Sequence, residues 1–259
     1  MALGIITYSC LFVNQFRQQI HASLKWIRLW QAGKGQDMSY KNSTRSGCKD
    51  VFRSFLVKNA QYSGRFEIPI IPKTAAKPNK LIPFSKSIGS CDFDSWVHFY
   101  EDDVNFERIW NTPQKYLPIL KKFKGVITPD FSLYRDMPLA MQIWNTYRGK
   151  AIGNWLVENG ISTIPNVRWG DQRTFDFCCN GIAQNGTIAI GSHGCIKLLT
   201  ERPFFEAGLE HVVKTILPRT IVVYGAAPDN IFDKYVNCGI DIIQFDSVYM
   251  STHRKAVES

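Results

Sequence analysis

From residue 81 onward, short β-branched and aromatic runs alternate with longer stretches of helical periodicity, and no other feature restricts the fold as strongly. Seven runs read as strands: LIPFS (81–85), WVHFY (96–100), GVITPDF (125–131), IPNVRW (164–169), TIAIGS (187–192), TIVVYG (220–225) and DIIQFD (241–246). Helices are expected near 104–122, 138–159, 203–216 and 229–237. Pro138 and Pro203 suit first helical turns, and Asn159-Gly160 suits a helix end. Strands separated by helices pair in parallel, because only a crossover connection returns the chain to the same sheet end. The expected class is therefore α/β, built as a βα-barrel-like or partial barrel with mainly parallel strands. An open doubly wound sheet is the alternative. Hydrophobic residues make up 45% of the chain, aromatics 13% and charged residues only 20%, which excludes a disordered polymer. No uninterrupted apolar stretch of about 18 residues occurs, so a transmembrane segment is not expected.

The net charge of +9 is unevenly spread. Residues 1–90 carry 14 Lys+Arg against 3 Asp+Glu, whereas 91–259 carry 17 against 19. A basic segment ahead of a near-neutral globule favours an anionic partner. Nucleic acid is the commonest such partner, a solvated surface the plainer reading, and a membrane surface a third. Residues 1–60 are accordingly read as a basic, partly flexible N-terminal extension, and 61–250 as a single α/β domain. Within the extension, 11–31 has the spacing of an amphipathic helix, and GKGQDMSYKNSTRSG reads as a linker. The apolar start MALGIITYSCLFV lacks a positive flank and a clear cleavage site, so it is a weak secretory signal. Translation beginning at Met38 is expected to yield a protein that folds and behaves the same. Seven cysteines, odd in number and without a CxxC pair, suit a reducing cytoplasm rather than a disulfide framework.

In either architecture, ligands bind beyond the C-terminal ends of the strands. Those ends are rich in polar groups. PDFSLYRDMP carries Asp130 and Asp136; NVRWGD carries Arg168 and Asp171; GSHG carries Ser192, His193 and Gly194; YGAAP begins with Tyr224 and Gly225. Asp130 and Asp136 could act as a carboxylate pair, as metal ligands or as acid and base; Asp171 is a further candidate site carboxylate, and His193 is a candidate general base. Asp130 could equally close an Asx turn, and Asp136 could cap the helix that follows. Strand alternation sends Val167 and Trp169 to one face and Arg168 to the other. Arg168 should then either bind an anionic substrate or pair with Asp130, Asp171 or Asp246. Arg148, one turn from Trp144, could stack on that ring, pair with a strand-end carboxylate such as Asp130, or contact phosphate.

The small-residue loops at Ser192–Gly194 and Tyr224–Gly225 either bring backbone N–H groups close to a phosphate or are simple tight turns. Neither matches a GxxxxGK[ST] or GxGxxG pattern, so no nucleotide cofactor is assigned. His193 with Cys195, Cys178 and Cys179 has no established zinc-finger spacing, and no metal is assigned.

Taken in order, PDFSLYRDMP, WNTYRGKAIGNWL, IPNVRWGD, FDFCCNGI, GTIAIGSHGC and IVVYG resemble a bacterial, phage and mobile-element family known only as a domain of unknown function. The resemblance covers roughly residues 60–247. It implies a compact α/β domain of the kind encoded on phages and integrating elements, and it carries over no catalytic residue. The residues themselves suggest a protein acting on a nucleic acid or nucleotide phosphate, by hydrolysis or transfer, through a polar cleft at the strand C-termini. Asp130, Asp171 and His193 would do the chemistry, with Arg148, Arg168, Ser192, Gly194, Tyr224 and Gly225 holding substrate. The competing reading is a non-catalytic accessory module that binds nucleic acid or protein. A third is that the same groups form only an internal ion network.

Overall fold

A computed structural model describes residues 50–247 and Met250. The expected helix at 11–31, the linker after it and the Met38 start lie outside the described residues. The packed unit begins at Asp50, and Leu56 and Val57 of a short 3-10 turn are already buried in its core. A small antiparallel ribbon, β1 (Tyr62–Ser63) with β2 (Ile68–Pro69), follows in the Pro-rich extended segment.

A strand forms at each of the seven anticipated runs, but shorter than expected at LIPFS and GVITPDF, and from IPNVRW only Ile164 is in one. They are β3 (Leu81–Pro83), β4 (Trp96–His98), β5 (Gly125–Ile127), β6 (Thr163–Ile164), β7 (Thr187–Gly191), β8 (Thr220–Tyr224) and β9 (Asp241–Phe245). Every one of their pairings is parallel, in the orders β3-β4-β5-β6 and β7-β8-β9. Past β6, Asn166 bridges Ala189 of β7: Val167 N–H donates to Ala189 O at 2.8 Å, and Ala189 N–H to Pro165 O at 2.9 Å. Pro165 has no N–H to give, which limits this junction to an isolated bridge.

Strand order thus follows chain order without the reversal that a doubly wound sheet requires. Inward side chains alternate with outward ones. Trp96, Ile127, Ile164, Ala189 and Val222 meet in one buried interior cluster, flanked by Leu81 and Phe245. Their neighbours Val97, Val126, Ile188, Ile190, Ile221 and Val223 point outward into helix-covered cores. Helices therefore cover one face of the strands and side chains fill the other, as in a barrel. The barrel is partial, within the expectation. Among the described residues no ladder joins β3 to β9, so the architecture is one of open parallel sheets.

Among the described residues six helices pack around these sheets: α1 (Phe84–Ser87), α2 (Asp103–Asn111), α3 (Pro113–Leu120), α4 (Leu139–Glu158), α5 (Arg202–Ile216) and α6 (Asp229–Val236). The single helix expected at 104–122 is two. Pro113 forces Thr112 out of the helical region, to φ −143° and ψ 62°, and the chain restarts with the proline in the first turn. Helix α4 is buried on several faces, and Lys150, Asn145 and Arg148 are buried along with its apolar residues. Pro138 occupies its N-cap position without any side-chain capping bond, so Asp136 does not cap it as anticipated.

Helix α5 lies tightly on Trp169. A Cβ added at Gly208 would sit 2.1 Å from the indole, whose residue is only 8% exposed. Gly208→Ala is therefore expected to cost about 1–3 kcal/mol through overpacking. A lower urea midpoint at unchanged m-value would show this, whereas an unaltered midpoint would mean that the indole yields freely. Several basic residues of the 50–90 segment are engaged locally, Arg65 with Asp176, Lys77 with Asp241 and Lys80 with Asp92. No described helix is long and apolar enough to cross a membrane.

Candidate functional site

The C-terminal strand ends open into a cavity of about 560 Å³, lined by Tyr100, Asp130, Ser132, Tyr134, Arg168, Gly191, His193 and Tyr224, with Glu101 and Asp102 on its rim. A second hollow of about 200 Å³ adjoins it, sharing Tyr134, Arg168 and Gly191, and is walled by Trp169, Phe204 and Phe205. Arg168 stands between the two. Its Nη1 donates to Asp130 Oδ2 at 2.8 Å, and the arginine side chain is 28% exposed while that of Asp130 is 7% exposed. Val167 and Trp169 pack into the α5 core, as the expected alternation has it, but both also border the smaller hollow that Arg168 lines.

Asn166, two residues before Arg168 and on the same face, organises the rest. Its Nδ2 donates to Asp130 Oδ1 at 2.7 Å, and its Oδ1 accepts from the Tyr100 hydroxyl at 2.9 Å. Its backbone N–H donates to Thr128 Oγ1 at 2.8 Å, and its carbonyl accepts from the buried Lys150 ammonium. Burial pushes Lys150 down to about 8. Burial also pushes the Asp130 carboxyl up, with the Arg168 charge and the Asn166 bond working against that shift. Both Asp130 oxygens are thus occupied. The carboxylate is arranged to hold Arg168 in place, and the Asx-turn role is set aside. Arg168 is held charged chiefly by Asp130. A guanidinium has five N–H donors, so Asp130 leaves Arg168 with donors for an oxyanion.

Tyr224 stacks on Tyr100 at 4.8 Å with the rings 9° apart, forming one wall. Beneath it His98 is buried, 4.6 Å from the Tyr224 ring. Its Nδ1 accepts the Tyr100 N–H at 3.1 Å, and burial lowers it to about 3, so it is neutral and structural.

Other anticipated residues go elsewhere. Asp171 caps the 3-10 turn Gln172–Thr174 and pairs with Arg173 at 2.9 Å, outside both hollows. Arg148 pairs with Glu107 at 2.6 Å, bonds Asn145 Oδ1 at 2.7 Å and lies 3.9 Å over the Phe131 ring; it does not reach Asp130 or the cavity. The Ser192 hydroxyl donates to Ala226 O at 2.7 Å and its N–H to Tyr224 O at 3.0 Å, so both its donors brace the loop. Gly225, at φ 117°, has no room for a side chain, because an added Cβ would lie 2.6 Å from Ser192 Oγ. The two small-residue loops therefore lock together as turns, while His193 faces the larger hollow and Gly194 the smaller. Cys195 lines the smaller hollow and, with His193, stays apart from Cys178 and Cys179. Tyr100, Asn166, Lys150 and His98 escaped the sequence reading.

Fold and cleft define an α/β protein with parallel strands in chain order and a polar, arginine-centred hollow at their C-terminal ends. The chain belongs to the family described as Domain of unknown function (DUF4417), whose model matches residues 60–246. That span contains the whole Tyr100–Asp130–Asn166–Arg168 network. The Gene 1 protein of Mycobacterium phage D29 is 34% identical over 187 residues, covering 71% of this chain and 68% of that protein. The Gene 1 protein of Mycobacterium phage L5 is 33% identical over 187 residues, covering 71% and 80%. No solved structure matches the chain significantly.

Proposed function

We propose that this phage-type protein acts on a nucleic acid or nucleotide, holding its phosphate at Arg168 between the two strand-end hollows. One observation carries the reading: a charged guanidinium, fixed by a buried carboxylate, keeps spare donors in a cavity large enough for a ligand. The aromatic hollow next to it, with Trp169, Phe204 and Phe205, offers a surface for a base or other flat group. His193 is the titratable group on the same cavity wall that is suited to proton transfer. A phosphodiester hydrolase or a transferase would use this arrangement, in the reducing cytoplasm that the cysteine pattern suits.

The test is titration of wild type, Arg168→Lys and Arg168→Ala with a nucleoside monophosphate and a 5′-phosphorylated oligonucleotide. A charge-assisted contact is worth about 1.5–3 kcal/mol, so Arg168→Ala should weaken binding by about 10- to 100-fold. Arg173→Ala, at the exposed Asp171 pair outside the hollows, should leave it intact. A folded Arg168→Ala protein that binds as tightly as wild type removes Arg168 from the site.

The accessory-module reading draws on a separate observation: both oxygens of Asp130 are engaged, which leaves that carboxylate poorly placed as a base. It is distinguished by binding without turnover, and by steep salt dependence that is lost in a chain beginning at Asp50.

A further inference from the structure

Beside Lys150 of α4, a compact set of soft ligands is unclaimed by anything described above. Cys178 and Cys179, adjacent in the turn after Gln172–Thr174, are both buried, and their sulfurs are 3.8 Å apart. His211 of α5 brings a ring nitrogen to the same point, and all three ligand atoms lie within 4.8 Å of one another. The imidazole is stacked on Phe175, with ring centroids 4.4 Å apart and planes 7° apart, which fixes its direction. Its Nε2 is buried without a hydrogen-bond partner. A buried polar nitrogen with no partner is costly and uncommon, and an absent ligand accounts for it.

The distances carry the identity of that ligand. A tetrahedral ion with metal–sulfur bonds of about 2.3 Å spans two sulfurs at about 3.8 Å, and a metal–nitrogen bond of about 2.0–2.1 Å reaches a third vertex. Cys178 and Cys179 already stand at that spacing. Their mutual hydrogen bond lowers the Cys179 thiol and, with burial, raises that of Cys178, while the Lys150 charge lowers both. Hard cations prefer oxygen donors, so two sulfurs and an imidazole select a thiophilic ion.

We propose that Cys178, Cys179 and His211 form a metal site for a zinc-class ion, with the fourth position left to water or a small ligand. Such an ion would tie the 171–182 turn to α5. Binding releases the thiol protons to solvent and involves no change of oxidation state.

The full chain, reduced and stripped with a chelator, is titrated with Co(II) and then with Zn(II). Expected are sulfur-to-cobalt charge-transfer bands saturating at one ion per chain, their displacement by Zn(II), and a rise in melting temperature on loading. Cys179→Ser and His211→Gln should weaken binding at least tenfold, whereas Cys91→Ser, at an exposed thiol elsewhere, should not. X-ray absorption of the zinc-loaded wild type decides the matter even if those variants fail to fold. A shell containing two sulfurs supports the site. No charge-transfer band, or a shell of oxygen and nitrogen alone, overturns it.

Discussion

Asp130→Ala is expected to destabilise the fold by about 3 kcal/mol and to release Arg168 from its position. Removing one member of a largely buried ion pair strands the other's charge, which typically costs about 3–5 kcal/mol. Arg168 retains 28% exposure, so water reclaims part of that cost and the lower end applies. Asp130 also accepts the Asn166 amide, and through it steadies the Tyr100 hydroxyl. The alanine variant therefore leaves two donors unsatisfied. Asp130→Asn keeps the shape but confronts one of them with its own amide donor; about 1–3 kcal/mol is the expected loss. The double variant Asp130→Ala/Arg168→Met should recover part of the loss, because the stranded charge is gone. Denaturant unfolding of the four members of this cycle measures the coupling directly. If the double variant is destabilised by the full sum of the singles, the two residues do not act as a pair.

The contrast between Asp130 and Asp171 shows which parts of the site were legible in the sequence. Both follow strand ends, and strand-end position is what singles out Asp130 and Arg168 in the sequence. What it cannot supply is the direction of the chain two residues further on. Asp171 serves as a local cap for its own 3-10 turn. Asn166 was visible in the same motif, but an amide has no chemistry of its own to flag it; its importance lies in bonds to Asp130, Tyr100 and Lys150 from three other segments. Tyr100, Glu101 and Asp102 follow β4 as directly as Asp130 follows β5, so the same rule applied to WVHFY would have found them. His211 is different again. On its helix it has no ligand within reach of local spacing, and only the fold brings Cys178 and Cys179 to it. The strands were legible because β-branched runs bury themselves on both faces, whereas closure depends on edge pairing, which no run of residues encodes.

Acid should destabilise this protein through His98, with the loss beginning as pH falls below about 6.5. His98 is 2% exposed, packed against the Tyr224 ring, and burial lowers it to about 3 from an ordinary 6.5. Between those values the unfolded chain binds a proton that the folded chain refuses. Protons thus favour the unfolded state, and stability is lost as pH falls from about 6.5 toward 3. The slope approaches about 1.4 kcal/mol per pH unit, for a total of up to about 5 kcal/mol. Geometry points the same way, because Nδ1 accepts the Tyr100 N–H and a proton placed there would face another donor. In His98→Gln the titrating group is absent. Unfolding free energies of wild type and variant, measured from pH 7 to pH 4, should therefore converge or cross as the pH falls, with all other ionisable groups common to both. Parallel curves would show that His98 takes up its proton without unfolding.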